Sequence, residues 1–174
     1  MRIGTLVATL ALATMGATAS AQTVTYDYDK AADFSKLKTY AWTRGTTLQD
    51  ELNHKRIVSA VEAQLEKKGL TKVESDLNPD VLVAYHASFE RDFAINGFSS
   101  GWGGPWVGGN RSGSARLEQV VTGTLVVDMV DPAAKSMLWR GVATKEIDAN
   151  AKPDERDKKA NKAAEKIFKN FPPG

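Results

Sequence analysis

From Asp80 to Ile95, from Leu117 to Met129 and from Met137 to Ile147, apolar and polar residues alternate with a period of two. Only two other stretches carry the three- and four-residue apolar spacing of an amphipathic helix. Long half-buried strands must therefore outnumber the elements available to cover them. In the first run Val81, Val83, Tyr85, Ala87, Phe89 and Phe93 share one face, while Leu82, Ala84, His86, Ser88, Glu90 and Asp92 share the other. Asp131-Pro132 marks the turn that joins the second and third runs into a hairpin. Shorter alternations at Val24, Tyr26, Tyr28 and at Tyr40, Trp42 predict two more strands, and Leu70 to Glu74 a third. Phe34, in the turn Asp33 to Lys36, is expected to anchor the chain between the first two.

The helical spacing falls at Leu48 to Lys68, with Thr47 as the expected cap and Gly69 as the stop. It returns behind Pro153, where Ala160, Ala164, Ile167, Phe168 and Phe171 mark one face before Pro172-Pro173. Two helices are too few to serve as the crossovers of a doubly wound parallel sheet. The expectation is an α+β two-layer sandwich, one mainly antiparallel sheet with two helices on one face and the other sheet face at least partly wet.

Residues 1–21 stand apart. Arg2 precedes an uncharged, largely apolar run from Ile3 to Met15, followed by Ala19-Ser20-Ala21, the pattern of a secretory signal peptide cleaved after Ala21. The run is too short for a bilayer core that needs about 20 residues, so no transmembrane span is expected. A single domain over residues 22–174 remains, in a periplasmic or secreted protein. The sequence holds no cysteine, which excludes a disulfide, a thiolate metal site, a cysteine nucleophile and a lipid-bearing cysteine. It is therefore not expected to be a lipoprotein. Its 23 Lys and Arg against 21 Asp and Glu leave a net charge of +2, and no nucleic acid partner is expected. The cations of the last helix, Arg156, Lys158, Lys159, Lys162, Lys166 and Lys169, alternate with Asp154, Glu155, Asp157 and Glu165 and read as a solvated face.

Catalytic motifs are scarce. Gly97-Phe98-Ser99-Ser100-Gly101 matches a nucleophile elbow in letters, but glycines and Pro105 follow it where a helix is needed, and both histidines precede Ser99. No phosphate-binding or dinucleotide fingerprint occurs, and no cofactor or metal is expected. Asp27 and Asp29 on an edge strand suggest at most a weak cation site. His86 lies about 7 Å from Ser88 on one strand face, too far for a direct bond. Asp128 on a neighbouring strand is the group able to orient it, in which case a hydrolase or metal-dependent enzyme centred on His86 is the alternative to a binding role. The segment from Asn96 to Ser114 holds seven of the 14 glycines and two of the four tryptophans. It is longer than ordinary connections, and Phe98, Trp102, Trp106 and Arg111 are residue types that dominate binding hot spots.

Several blocks, in order along the chain, resemble one family. Asp33-Phe34-Ser35-Lys36-Leu37-Lys38-Thr39-Tyr40-Ala41-Trp42 resembles its opening. Leu65 to Leu70, Asn78 to His86, Gly123 to Asp128, Leu138 to Ala143 and Phe171-Pro172-Pro173 are similar to its later blocks. The family is the bacterial envelope family known as domain of unknown function 4136. The resemblance implies a small exported domain, often lipid-anchored, with no catalytic residues to carry over. The missing cysteine departs from the anchored members. The functional expectation is a non-enzymatic envelope module that binds a protein, a glycan or a membrane surface peripherally through the Gly/Trp-rich segment.

Overall fold

The computed structural model describes residues 22–96 and 116–173, with side chains described for 22–92 and 120–173. The expected signal peptide, Phe98, Trp102, Trp106 and Arg111 thus lie outside the described residues. One mixed six-stranded sheet carries strands β1 (Thr23–Tyr28), β2 (Thr39–Trp42), β3 (Thr71–Lys72), β4 (Val81–Asn96), β5 (Arg116–Val130) and β6 (Met137–Ile147). Their order across the sheet is β1-β6-β5-β4-β2-β3. The β1–β6, β6–β5 and β5–β4 pairs are antiparallel, whereas β2 runs parallel to both β4 and β3. Helices α1 (Glu51–Lys67) and α2 (Pro153–Ile167) pack on each other and on one sheet face. This is the expected two-layer α+β sandwich.

Helix α1 begins three residues later than Thr47 predicts. Asp50 is the cap, because its carboxylate accepts from the N–H groups of Leu52 and Asn53. At the other end Gly69 takes φ +85°, and the N–H groups of Gly69 and Leu70 bond back to the carbonyls of Glu66 and Leu65. That left-handed cap buries Leu70 against the core and turns the chain into β3, which is only two residues long. The β2–β4 parallel pair is fastened at its start by Asp80, whose carboxylate accepts from the N–H groups of Lys38 and Thr39 and from the Thr39 hydroxyl. Those bonds hold the Asp80 carboxyl below the usual carboxylate range.

The core is thickest at one end of the sheet. Trp139 is fully buried, stacked on Phe168 at 5.3 Å and meeting Phe171 edge-on at 5.4 Å. Phe34 extends the cluster, with its ring 5.8 Å from Phe171 and 6.1 Å from Tyr28, which fulfils its expected anchoring role. A bulge opposite Met129 and Val130 adds Leu138 to β6, so Leu138 and Trp139 are both buried although they are consecutive. Gly141 lies beside them because a Cβ there would stand 2.4 Å from the Trp139 ring and 2.6 Å from Ile167. On the far side Trp42 donates to Glu62 at 2.7 Å, and Lys72 donates to the same carboxylate oxygen at 2.6 Å. Burial pushes Glu62 upward, but these two donors outweigh it and hold the carboxyl below its ordinary range. Burial beside Glu62 and Glu66 pushes the Tyr40 hydroxyl up to about 12.

Candidate functional site

The three central strands present their helix-facing residues in rows. Val83, Met129 and Trp139 form one row, and Tyr85, Val127 and Gly141 the next. Then the side chains shrink: Ala87, Leu125 and Ala143 form the third row, and Phe89, Gly123 and Lys145 the fourth. The helices do not compensate, because α2 crosses this region with Ala160 and Ala163. The missing volume is a cleft of about 560 Å³ between sheet and helices, within the ~300–1,000 Å³ of small-molecule sites. Ile57, Leu48, Val121 and Ile147 add to its apolar lining. Phe89 is 49% exposed there and offers an aromatic ring to the cleft. Gly123 in the fourth row makes room for its neighbours, since a Cβ there would stand 2.7 Å from Ile147 and 3.3 Å from Phe89.

In the row just inside the cleft, the Tyr85 hydroxyl meets Nδ1 of His54 at 2.5 Å. Burial raises its pKa above the ordinary tyrosine value. The cleft is cationic in its remaining lining: Arg56, Arg91, Lys145, Arg156 and Lys159 against the single carboxylate of Asp148. Arg56 is held by Asp157 and Asn53, and Arg156 by the carbonyls of Ala149 and Ala151, so both are fixed as parts of the wall. Arg156 and Lys159 therefore leave the solvated face that charge alternation predicts for the last helix.

His86 occupies the opposite sheet face. The N–H of Thr46 donates to its Nδ1 at 3.0 Å, which makes Nδ1 an acceptor and places the ring proton on Nε2, 3.4 Å from Asp128. Asp128 is only 3% exposed, and Arg140, directly opposite it in the β5–β6 register, grips both its oxygens at 2.6 and 2.7 Å. The Arg140 guanidinium is held more firmly protonated by this pair. The expected partnership of His86 with Asp128 is thus present. Within it, Nδ1 accepts from a backbone donor, and the carboxylate lies between a guanidinium and the imidazole. Thr46 Oγ1 lies 3.1 Å from the same Nδ1, but it shares that lone pair with its own N–H.

Asp27 and Asp29 accept from the N–H groups of Tyr28 and Ala31 and so serve the local turn. Among the described residues no cluster of three or more His, Asp or Glu is placed to hold a metal ion. No helix among them is long and apolar enough to cross a membrane. The sequence reading missed the cleft because Ala87, Ala143, Ala160 and Ala163 fit the apolar pattern. The usable signal was their size: inward positions shrink together on two strands and the covering helix.

A family model described as Domain of unknown function (DUF4136) matches residues 24–173. No curated protein matches the sequence. Among solved structures, the fold is similar to that of a PDZ domain protein from Parabacteroides distasonis, with a TM-score of 0.57 and 16% identity. That match covers 88% of this chain and 36% of the other, so the chain spans little more than a third of that protein. A DUF4136 family protein from Bacteroides thetaiotaomicron matches with a TM-score of 0.54 and 17% identity over 87% of this chain and 96% of its own. The PelC dodecamer from Paraburkholderia phytofirmans has a subunit that matches with a TM-score of 0.53 and 9% identity over 85% and 95%. At these identities the likeness is one of fold.

Proposed function

The chain belongs to the DUF4136 family, and from that premise we propose that it is a non-catalytic ligand-binding domain of the bacterial envelope, with its ligand seat in the cleft between helices and sheet. The observation that carries this reading is the apolar cleft itself, a concavity of ligand size lined by small residues and rimmed by cations. Export is supported by the Arg2, Ile3–Met15 and Ala19-Ser20-Ala21 pattern. A non-catalytic role is supported by the structural engagement of the pair: His86 Nδ1 accepts from the N–H of Thr46, and Arg140 grips both oxygens of Asp128 across two strands. The Gly/Trp-rich segment enters as a second contact. In the sequence Phe98, Trp102, Trp106 and Arg111 follow β4, the strand that carries Phe89 and Arg91 on the cleft, and precede β5.

Retention on washed envelope fractions tests the reading. Ala160→Trp, which fills the cleft from α2, is expected to reduce retention about thirtyfold or more while the melting temperature holds, since an anchor pocket commonly contributes about 2 kcal/mol or more. Replacing Trp102 and Trp106 together by alanine should reduce retention with little change in melting. His86→Ala should leave retention unchanged. Loss with His86→Ala and none with Ala160→Trp would transfer the function to the opposite face.

A further inference from the structure

We infer that the cleft takes a single long-chain fatty carboxylate, an assignment that rests on the cleft being the ligand seat. Rows three and four belong to β4, β5 and β6, and the β5 backbone is paired to a neighbour on each side. A peptide laid on that floor would find its N–H and C=O groups without strand partners, which is costly in an apolar cleft. An acyl chain carries no such groups. The floor is three strands wide, roughly 10 Å between its outer strands, which suits one chain lying beside the helices.

Ala87, Leu125 and Ala143 make the inner row wholly apolar, and Ala160 and Ala163 roof it. Lys145 enters one row further out, and Lys159 lies one position before Ala160 on α2. Neither lysine has a carboxylate within ion-pairing distance among the described residues, whereas Arg56 is already paired with Asp157. Apolar depth followed by unspent positive charge is the complement of an alkyl tail ending in a carboxylate. A neutral ligand would gain less from the lysines than a carboxylate does, and a free inorganic anion nothing from the inner row.

The test is fluorescence titration of the full chain, as purified from expressing cells and delipidated, with 11-(dansylamino)undecanoic acid. The account expects an enhancement that oleate reverses and that methyl oleate reverses at least about tenfold less well, the scale of one charge-assisted contact. Lys145→Glu with Lys159→Glu should weaken the probe by a similar factor without moving the melting temperature. Ala160→Trp should abolish binding, and the rim pair stands in its place if that variant does not fold. Absence of enhancement, equal displacement by the ester, indifference to the rim pair, or displacement only by an acidic apolar peptide or a two-chain phospholipid would each overturn the assignment. Filling of the cleft by the chain's own residues would also appear as absence of enhancement. Should the probe fail while Ala160→Trp still abolishes envelope retention, the acyl assignment falls and the seat stands. Should that variant retain normally, the seat itself falls.

Discussion

Trp139→Ala is expected to lower the stability of the domain by about 3–5 kcal/mol, visible as a large drop in the urea midpoint or melting temperature. The indole is 0% exposed and lies against Phe168 and Phe171, so its removal empties the centre of the thick end of the core. Folded domains hold only about 5–15 kcal/mol in reserve, which makes this loss a large part of the total. Nε1 of Trp139 has no hydrogen-bond partner among the described residues. Trp139→Phe should therefore recover most of the loss, because it keeps the ring stack and removes a buried donor that earns nothing. An unchanged midpoint in Trp139→Ala would place the indole in solvent and refute the β5–β6 register.

Removing Arg140 is expected to cost about 2–3 kcal/mol, more than its half-exposed position suggests, because the damage falls on Asp128. That carboxylate stays buried on the sheet and would keep only the Nε2 contact with His86. Neutralising it should relieve the penalty. Arg140→Ala combined with Asp128→Asn should lose clearly less than the sum of the two single changes, and urea unfolding of the four proteins measures the difference. Additive losses would mean that the ion pair does not couple the two strands.

Much of the fold could be read from periodicity, since a period of two sorts each strand's residues onto two faces whatever its neighbours are. Trp139, Val83 and Val127 therefore fell on the buried face, and both helices were recognisable. Periodicity is silent about register and order. Nothing local announces that Arg140 sits opposite Asp128, that β2 runs parallel to β4, or that β1 pairs with β6 across most of the chain. The helix cap shows a subtler failure. Thr47 and Asp50 are both good capping types, and Leu48 looked like the first residue of the apolar stripe, whereas it lies before the helix and lines the cleft. The cleft was hidden for a related reason: pattern reading counts an alanine as apolar, but packing counts its volume. Only when Ala87, Ala143, Ala160 and Ala163 are brought face to face does the shortage become a space.

The central claim is that ligand recognition belongs to that space, and amide chemical-shift mapping reads it directly. Labelled protein titrated with a detergent-solubilised envelope extract should show its largest shifts at Ala87, Phe89, Gly123, Ala143, Ala160 and Ala163, with Thr46, His86, Asp128 and Arg140 nearly still. Shifts centred on His86 and Asp128, with the cleft residues unmoved, would contradict it.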